Sequence, residues 1–230
     1  MKLNDVKRIP QRDGYGEGLL ELCRTRTDVI VLDADVAAST RTNWVKDQFP
    51  SHFYNLGISE QDMVGTAAGL ALGGLIPYVS TYGVFLSGRA FDQMRTTVCY
   101  NHLKVRFGGA HAGISVGPDG ATHQALEDLA LSRVLPNMTV IAPCDSVETK
   151  KAVIAAADLD GPVYFRFGRE AVPVVTDDAP PPSPSGKPGW CRKAPTAQSL
   201  PAAQWCMRPW SPPKSSGTRA SLCVFWTCTP

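Results

Sequence analysis

Strand-like and helix-like runs alternate along residues 14–178, and the alternation predicts an α/β fold: a parallel sheet covered by helices on both faces. Two further observations agree. The 230-residue chain is long enough for one core of about 150–200 residues with extras. Five apolar, β-rich runs are separated by segments of helical period, the spacing that parallel strands with helical crossovers require.

Each element can be justified in order. GYGEGLLELCRT predicts a helix over 14–25, and VIVLD (29–33) is the first strand. SEQDMVGTAAGLAL predicts a helix over 59–72, followed by the strand IPYVS (76–80). GRAFDQMRTTVCYN (88–101) reads as a helix, KVRFGG (104–109) as a strand and THQALEDLALSRVL (122–135) as a helix. MTVIAP (138–143), SVETKKAVIAAA (146–157) and PVYFRF (162–167) complete the series as strand, helix and strand.

The helix from residue 59 has unusual features. Ser59, followed three residues later by Asp62 and then by an apolar run, is a capping-box pattern. Glu60 lies in the first turn, where the helix dipole favours an acid by about 0.3–1 kcal/mol. Gly65, Gly69 and Gly73 recur every fourth residue, with Ala67, Ala68 and Ala71 among them. An interior Gly costs about 1 kcal/mol relative to Ala, so the stripe predicts close approach of another backbone or a ligand. The run is too short to span a bilayer.

Composition divides the chain in two. All 21 acidic residues lie at or before Asp178, against 17 Lys and Arg, a net charge of −4 that excludes a nucleic-acid footprint. The remainder holds six basic residues and no acid. The first residues lack the apolar core of a signal peptide, so the cytoplasm is expected. Cys23, Cys99 and Cys144 read as small core residues, and Cys191, Cys206, Cys223 and Cys228 lack zinc or disulfide spacing; no metal site is expected.

In a parallel sheet, ligands bind beyond the carboxyl ends of the strands. The segments there are DADVAAST, TYGVF and AHAGISVGPDGATHQ, none of them a GxGxxG or Walker A loop. The last holds His111, Asp119 and His123, and Arg169 closes the final strand. Two His, an Asp and an Arg near one sheet edge predict a polar, anion-accepting site.

NLGISEQDMVGTAAGLALGG (55–74) and GPDGATHQALEDLALSRVLPNMTVIAPCD (117–145) together resemble the pyrimidine-binding domain of transketolases, and most closely the C-terminal section of split transketolases. The resemblance covers roughly residues 5–178. It implies a three-layer, parallel-sheet thiamine-diphosphate pyrimidine-binding domain. It also implies transfer of a two-carbon ketol unit between phosphorylated sugars. Glu60 matches the glutamate that hydrogen-bonds the aminopyrimidine and promotes ylide formation, for which burial must raise a carboxyl pKa. Tyr82 and Phe85 match aromatics packed around that ring. The third aromatic of many transketolases falls at Gly88, which implies a looser pocket or one reshaped by Arg89. Asp35 matches an acid near the cofactor. Arg12, Ser39, His111 and Arg169 match the sugar-phosphate positions, suitable donors for a dianion. Asp119 and His123 match residues that contact substrate hydroxyls and the reacting carbons.

The GDG…N motif that holds the diphosphate and its metal has no match, so thiamine diphosphate with magnesium is expected on an N-terminal partner subunit, in a homodimer or heterotetramer. Residues 179–230 do not resemble the third transketolase domain; they hold four of the five Trp and no Asp, Glu, Ile or Tyr. Shifted by one base, Trp205-Cys206-Met207 gives Val then His or Tyr, and with free choice of degenerate bases the tail reads …CGAMVHEALVAAEELRDQGISVRVLDMHT. That resembles the start of the missing domain, so residues 179–230 are expected to be an unstructured, out-of-frame remnant. Two relatives of the same cofactor class stay open, 1-deoxyxylulose-5-phosphate synthase and the 2-oxoacid dehydrogenase β subunit. So does an inactive fragment that only binds a partner.

Overall fold

A computed structural model describes residues 6–176 and the backbone of residues 226–227. In chain order the elements are β1 (Arg8–Pro10), α1 (Gln11–Thr25), β2 (Val29–Asp33), α2 (Ala37–Thr40), α3 (Asn43–Gln48), β3 (Phe53–Asn55) and α4 (Glu60–Leu72). Then follow β4 (Ile76–Tyr82), α5 (Gly83–Arg89), β5 (Arg106–Ala110), α6 (Asp128–Val134), β6 (Thr139–Ile141), α7 (Ser146–Ala156), β7 (Val163–Arg166), β8 (Ala171–Pro173) and β9 (Trp226–Thr227). The main sheet has the order β3-β2-β4-β5-β7-β6-β9, and its first six strands are parallel.

All five strands read from the sequence are present, because each is buried on both faces and so reads as a continuous apolar run. Alternate residues serve opposite layers. Val29 and Val31 of β2 pack with Tyr15, Leu19 and Val153 of α1 and α7. Ile30 and Leu32 pack with Met63 and Val64 of α4 and with Met94 beyond α5. Helices α1 and α7 approach closely because Gly14 stands where a Cβ would collide with the Ser146 carbonyl. The result is the expected three-layer α/β architecture.

Several elements depart from expectation. Residues 88–101 are not one helix: α5 starts at Gly83, and a π-helical segment follows over Gln93–Cys99. The wider π turn keeps Met94, Val98 and Cys99 together in the core. The helix expected over 122–135 is also divided. Ala121–His123 is a 3-10 turn, and the N–H of Gly113 donates to the Ala125 carbonyl at 2.9 Å, holding that stretch extended until α6. The short β1–β8 pair and β3 were not foreseen. The 179–230 tail lies outside the described residues, save that the backbone of β9 pairs antiparallel with Thr139 and Val140. No strand was expected there. Among the described residues no helix is long and apolar enough to cross a membrane.

Candidate active site

The site lies at the carboxyl ends of the strands, where the fold class places ligands. One end of it is a carboxylate. Glu60 opens α4 and is 4% exposed. The expected capping box does not form. Ser59 holds the N-cap position at φ −147° and ψ 65°, and its hydroxyl donates to the Leu56 carbonyl at 2.7 Å instead of accepting from the first turn. Glu60 pairs instead with Arg89, whose Nη1 lies 3.2 Å from each carboxylate oxygen. Arg89 is half exposed, and its guanidinium carbon sits 4.0 Å from the Phe85 ring centroid. Gln61 Nε2 donates to the Arg89 carbonyl at 3.1 Å and so ties α4 to α5.

The rings of Phe85 and Tyr82 are stacked, with centroids 5.8 Å apart and planes at 14°. At Gly88 a Cβ would meet nothing within 4 Å among the described residues. Ala67 and Ala68 are buried with Met63 and Val64, but a Cβ on Gly65 or Gly69 would also meet nothing within 4 Å. Within the described residues the alanines supply the close packing and the glycine face is open.

The other end is cationic. His111 follows β5 at φ 55° and is 1% exposed. Its Nε2 lies 3.2 Å from the Ser39 carbonyl and 3.4 Å from Arg12 Nη1, which also donates to that carbonyl at 3.3 Å. Burial, with Arg12 and Arg169 adding their charge, pushes the His111 pKa down to about 4, so the imidazole is neutral near pH 7. Burial lowers Arg12 as well, with Arg41 and Arg169 contributing. Among the described residues, His111 Nδ1 and Arg12 Nε are buried without a hydrogen-bond partner. Such orphaned polar atoms are uncommon in folded proteins and suit a site completed by a ligand.

Tyr82 joins the two ends. Its hydroxyl donates to Ser39 Oγ at 3.0 Å, and its ring lies 4.5 Å from the His111 ring. His123 stands edge-on to Tyr82 and Phe85, with centroids 5.8 and 5.1 Å away. Arg169 Nη1 donates to the Val116 carbonyl at 2.7 Å and pairs with Asp119 at 3.3 Å. Asp35, exposed and at φ 64°, accepts a 2.9 Å hydrogen bond from Asn55.

Sequence reasoning missed the residues that shape these loops. Asn55 is one. Asp33 is another: fully buried, it accepts from the Val36 N–H at 2.7 Å and from the Thr40 and Thr42 hydroxyls at 3.0 and 2.8 Å. This fixes the turn bearing Asp35 and Ser39, and burial pushes the Asp33 carboxyl above its usual range. The carboxylate ending VIVLD before a Thr-containing segment was the available signal. Asp128 is 1% exposed and meets Arg166 at 3.3 Å and Tyr164 at 3.3 Å. Arg166 in turn reaches Gly113, at the start of the loop that carries Asp119 and His123.

A buried carboxylate beside stacked aromatics suits a flat, basic heterocycle, and the cationic end suits an anion. Fold and site together define a ligand-binding α/β domain with two chemically distinct ends at one sheet edge. The chain belongs to the transketolase pyrimidine-binding domain family, whose sequence profile it matches over residues 7–175. It is 45% identical over 178 residues to a Methanocaldococcus jannaschii protein described as a transketolase C-terminal section, covering 77% of this chain and 56% of that one. One of the subunits of the apulose-4-phosphate transketolase of Phocaeicola vulgatus is 35% identical over 170 residues, covering 74% of this chain and 54% of its own. A split-gene transketolase solved as an inactive β4 tetramer matches with TM-score 0.68 and 46% identity, over 75% of this chain and 55% of that chain. The chain thus spans about half the length of these relatives.

Proposed function

We propose that this chain is the C-terminal, pyrimidine-binding subunit of a split transketolase, which moves a two-carbon ketol unit between phosphorylated sugars. The observation that carries the reading is the joining, through Tyr82, of a buried carboxylate to a cationic pocket with orphaned polar atoms. The relative named for apulose 4-phosphate supports a phosphorylated substrate. Thiamine diphosphate, when bound, supplies the carbanion chemistry of ketol transfer. Glu60, Tyr82, Phe85, Arg89 and Asp35 would hold it on this chain, while its diphosphate and magnesium belong to a partner subunit. Arg12, Ser39, His111 and Arg169 take the sugar phosphate, with His111 neutral and able to donate or accept. Asp119 and His123 orient the sugar hydroxyls. The aromatic wall keeps water from the reacting end.

The chain alone is inactive on this reading, and the split-gene relative solved as an inactive β4 tetramer supports it. Residues 179–230 are the out-of-frame remnant of a third domain; sequencing the coding DNA near codons 178–184 tests that. Function is tested by assaying the full chain, with cofactor and magnesium, with and without a diphosphate-binding subunit. Ketol transfer only in the mixture is expected. Transfer by the chain alone, or pyruvate decarboxylation by the mixture without ketol transfer, overturns the reading.

A further inference from the structure

Gln11 is the first residue of α1 and directly precedes Arg12. Its Oε1 accepts a 2.7 Å hydrogen bond from the N–H of Gly168, which directly precedes Arg169. Its Nε2 donates to the Pro143 carbonyl beyond β6. One part-buried carboxamide therefore joins the start of α1 to the ends of β6 and β7.

The arginines that follow these anchor points hold to separate loops: Arg12 to Ser39 and His111, Arg169 to Val116 and Asp119. They are close enough for the charge of Arg169 to act on both Arg12 and His111. Like charges at that range repel, so backbone bonding has to hold the segments together. A carboxamide does so without neutralising either cation, which a carboxylate at residue 11 would do.

We infer that Gln11 is a positioning residue, whose bond to Gly168 sets the separation of Arg12 and Arg169 for one phosphoryl dianion. The inference rests on the phosphate role proposed above for those arginines. Gln11 itself touches no substrate. Its effect is on geometry: two guanidiniums grip a dianion together only when their spacing matches it.

The test uses the full chain and inorganic phosphate. The sequence has four His, so imidazole resonances report on His111 beside the arginines. The wild-type chain should show a saturable phosphate-dependent shift at His111. Gln11→Met keeps length but loses donor and acceptor; it should weaken phosphate binding about tenfold with a thermal midpoint within about 2 °C of wild type. Gly168→Ala approaches from the other side, because its Cβ would meet Gln11 Oε1 at 3.1 Å. It should weaken binding about two- to threefold by displacing the same carboxamide, and it carries the test if Gln11→Met does not fold. Wild-type affinity in both folded variants overturns the role of Gln11 alone. A wild-type chain with no saturable shift at His111 overturns the phosphate role of the arginines, and this inference with it.

Discussion

The two ends of the cleft are held in opposite ways. At the carboxylate end, Glu60 is buried, and among the described residues its carboxylate takes hydrogen bonds from one side chain, the half-exposed Arg89. At the cationic end, Arg12, Ser39, His111 and Tyr82 are already bonded to one another, and burial lowers the pKa of both Arg12 and His111. The first end is closed by a contact that a ligand can replace; the second is pre-assembled, with polar capacity to spare. Pre-assembly reduces the ordering needed to bind an anion, whereas a half-exposed arginine satisfies the buried acid from the solvent side.

The largest expected effect breaks the carboxylate end. Glu60→Gln, in a complex active with its partner, should lower turnover by about 10²–10⁴-fold, with the thermal midpoint nearly unchanged because shape and burial are kept. Turnover and midpoint measured together check this; near-full turnover would return Glu60 to a structural role.

Substituting one arginine at each end sharpens the contrast. Arg12→Met should raise the KM for a sugar phosphate about 10- to 100-fold with little change in kcat. It should leave stability unchanged or slightly higher, since burial, Arg41 and Arg169 all oppose the Arg12 charge. Arg89→Met should lower the thermal midpoint by a few degrees, because it leaves a buried carboxylate without its partner. Paired melting curves decide whether the two ends differ as described.

Acid should act on the cationic end first. The His111 pKa falls to about 4 in the folded chain, from an ordinary value of 6.5. The folded state therefore binds fewer protons than the unfolded state between those values, and stability falls as pH drops from about 6.5 towards 4. Asp145, held below the usual carboxylate range by hydrogen bonds from Glu148, Thr176 and Val175, adds a loss at still lower pH. Asp33 and Asp128, both raised by burial, act in the opposite sense. His111→Gln should remove part of the loss between pH 6.5 and 4 in chemical denaturation series. An identical pH profile would place the titration elsewhere.

The smallest effect concerns the open face behind Glu60. Gly69→Ala should stabilise the chain by up to about 1 kcal/mol, since a Cβ there meets nothing within 4 Å. A melting experiment that finds destabilisation would mean the face is covered in solution.

Much of this was legible in the sequence. Strands buried on both faces print an apolar run, so β2, β4, β5, β6 and β7 were readable. The three-residue β1, β3 and β8 are too short to carry a period. Glu60 lies in the long motif over residues 55–74, Tyr82, Phe85 and Arg89 were reached through the family resemblance, and the structure brings the four together. The cap assigned to Ser59 failed because its hydroxyl has a competing backbone acceptor at Leu56. Gln11 was illegible, since its partner Gly168 is 157 residues away and no local pattern encodes such a bond. Asp128 with Arg166, 38 residues apart, is a second case.

The central claim is that these two ends are halves of one ketol-transfer site. The most direct measurement compares kcat/KM of the reconstituted complex for a phosphorylated acceptor sugar and its dephosphorylated counterpart, with the same donor. Loss of a dianion gripped by two guanidiniums should lower kcat/KM by about 100-fold or more. Equal values for the two acceptors would contradict it.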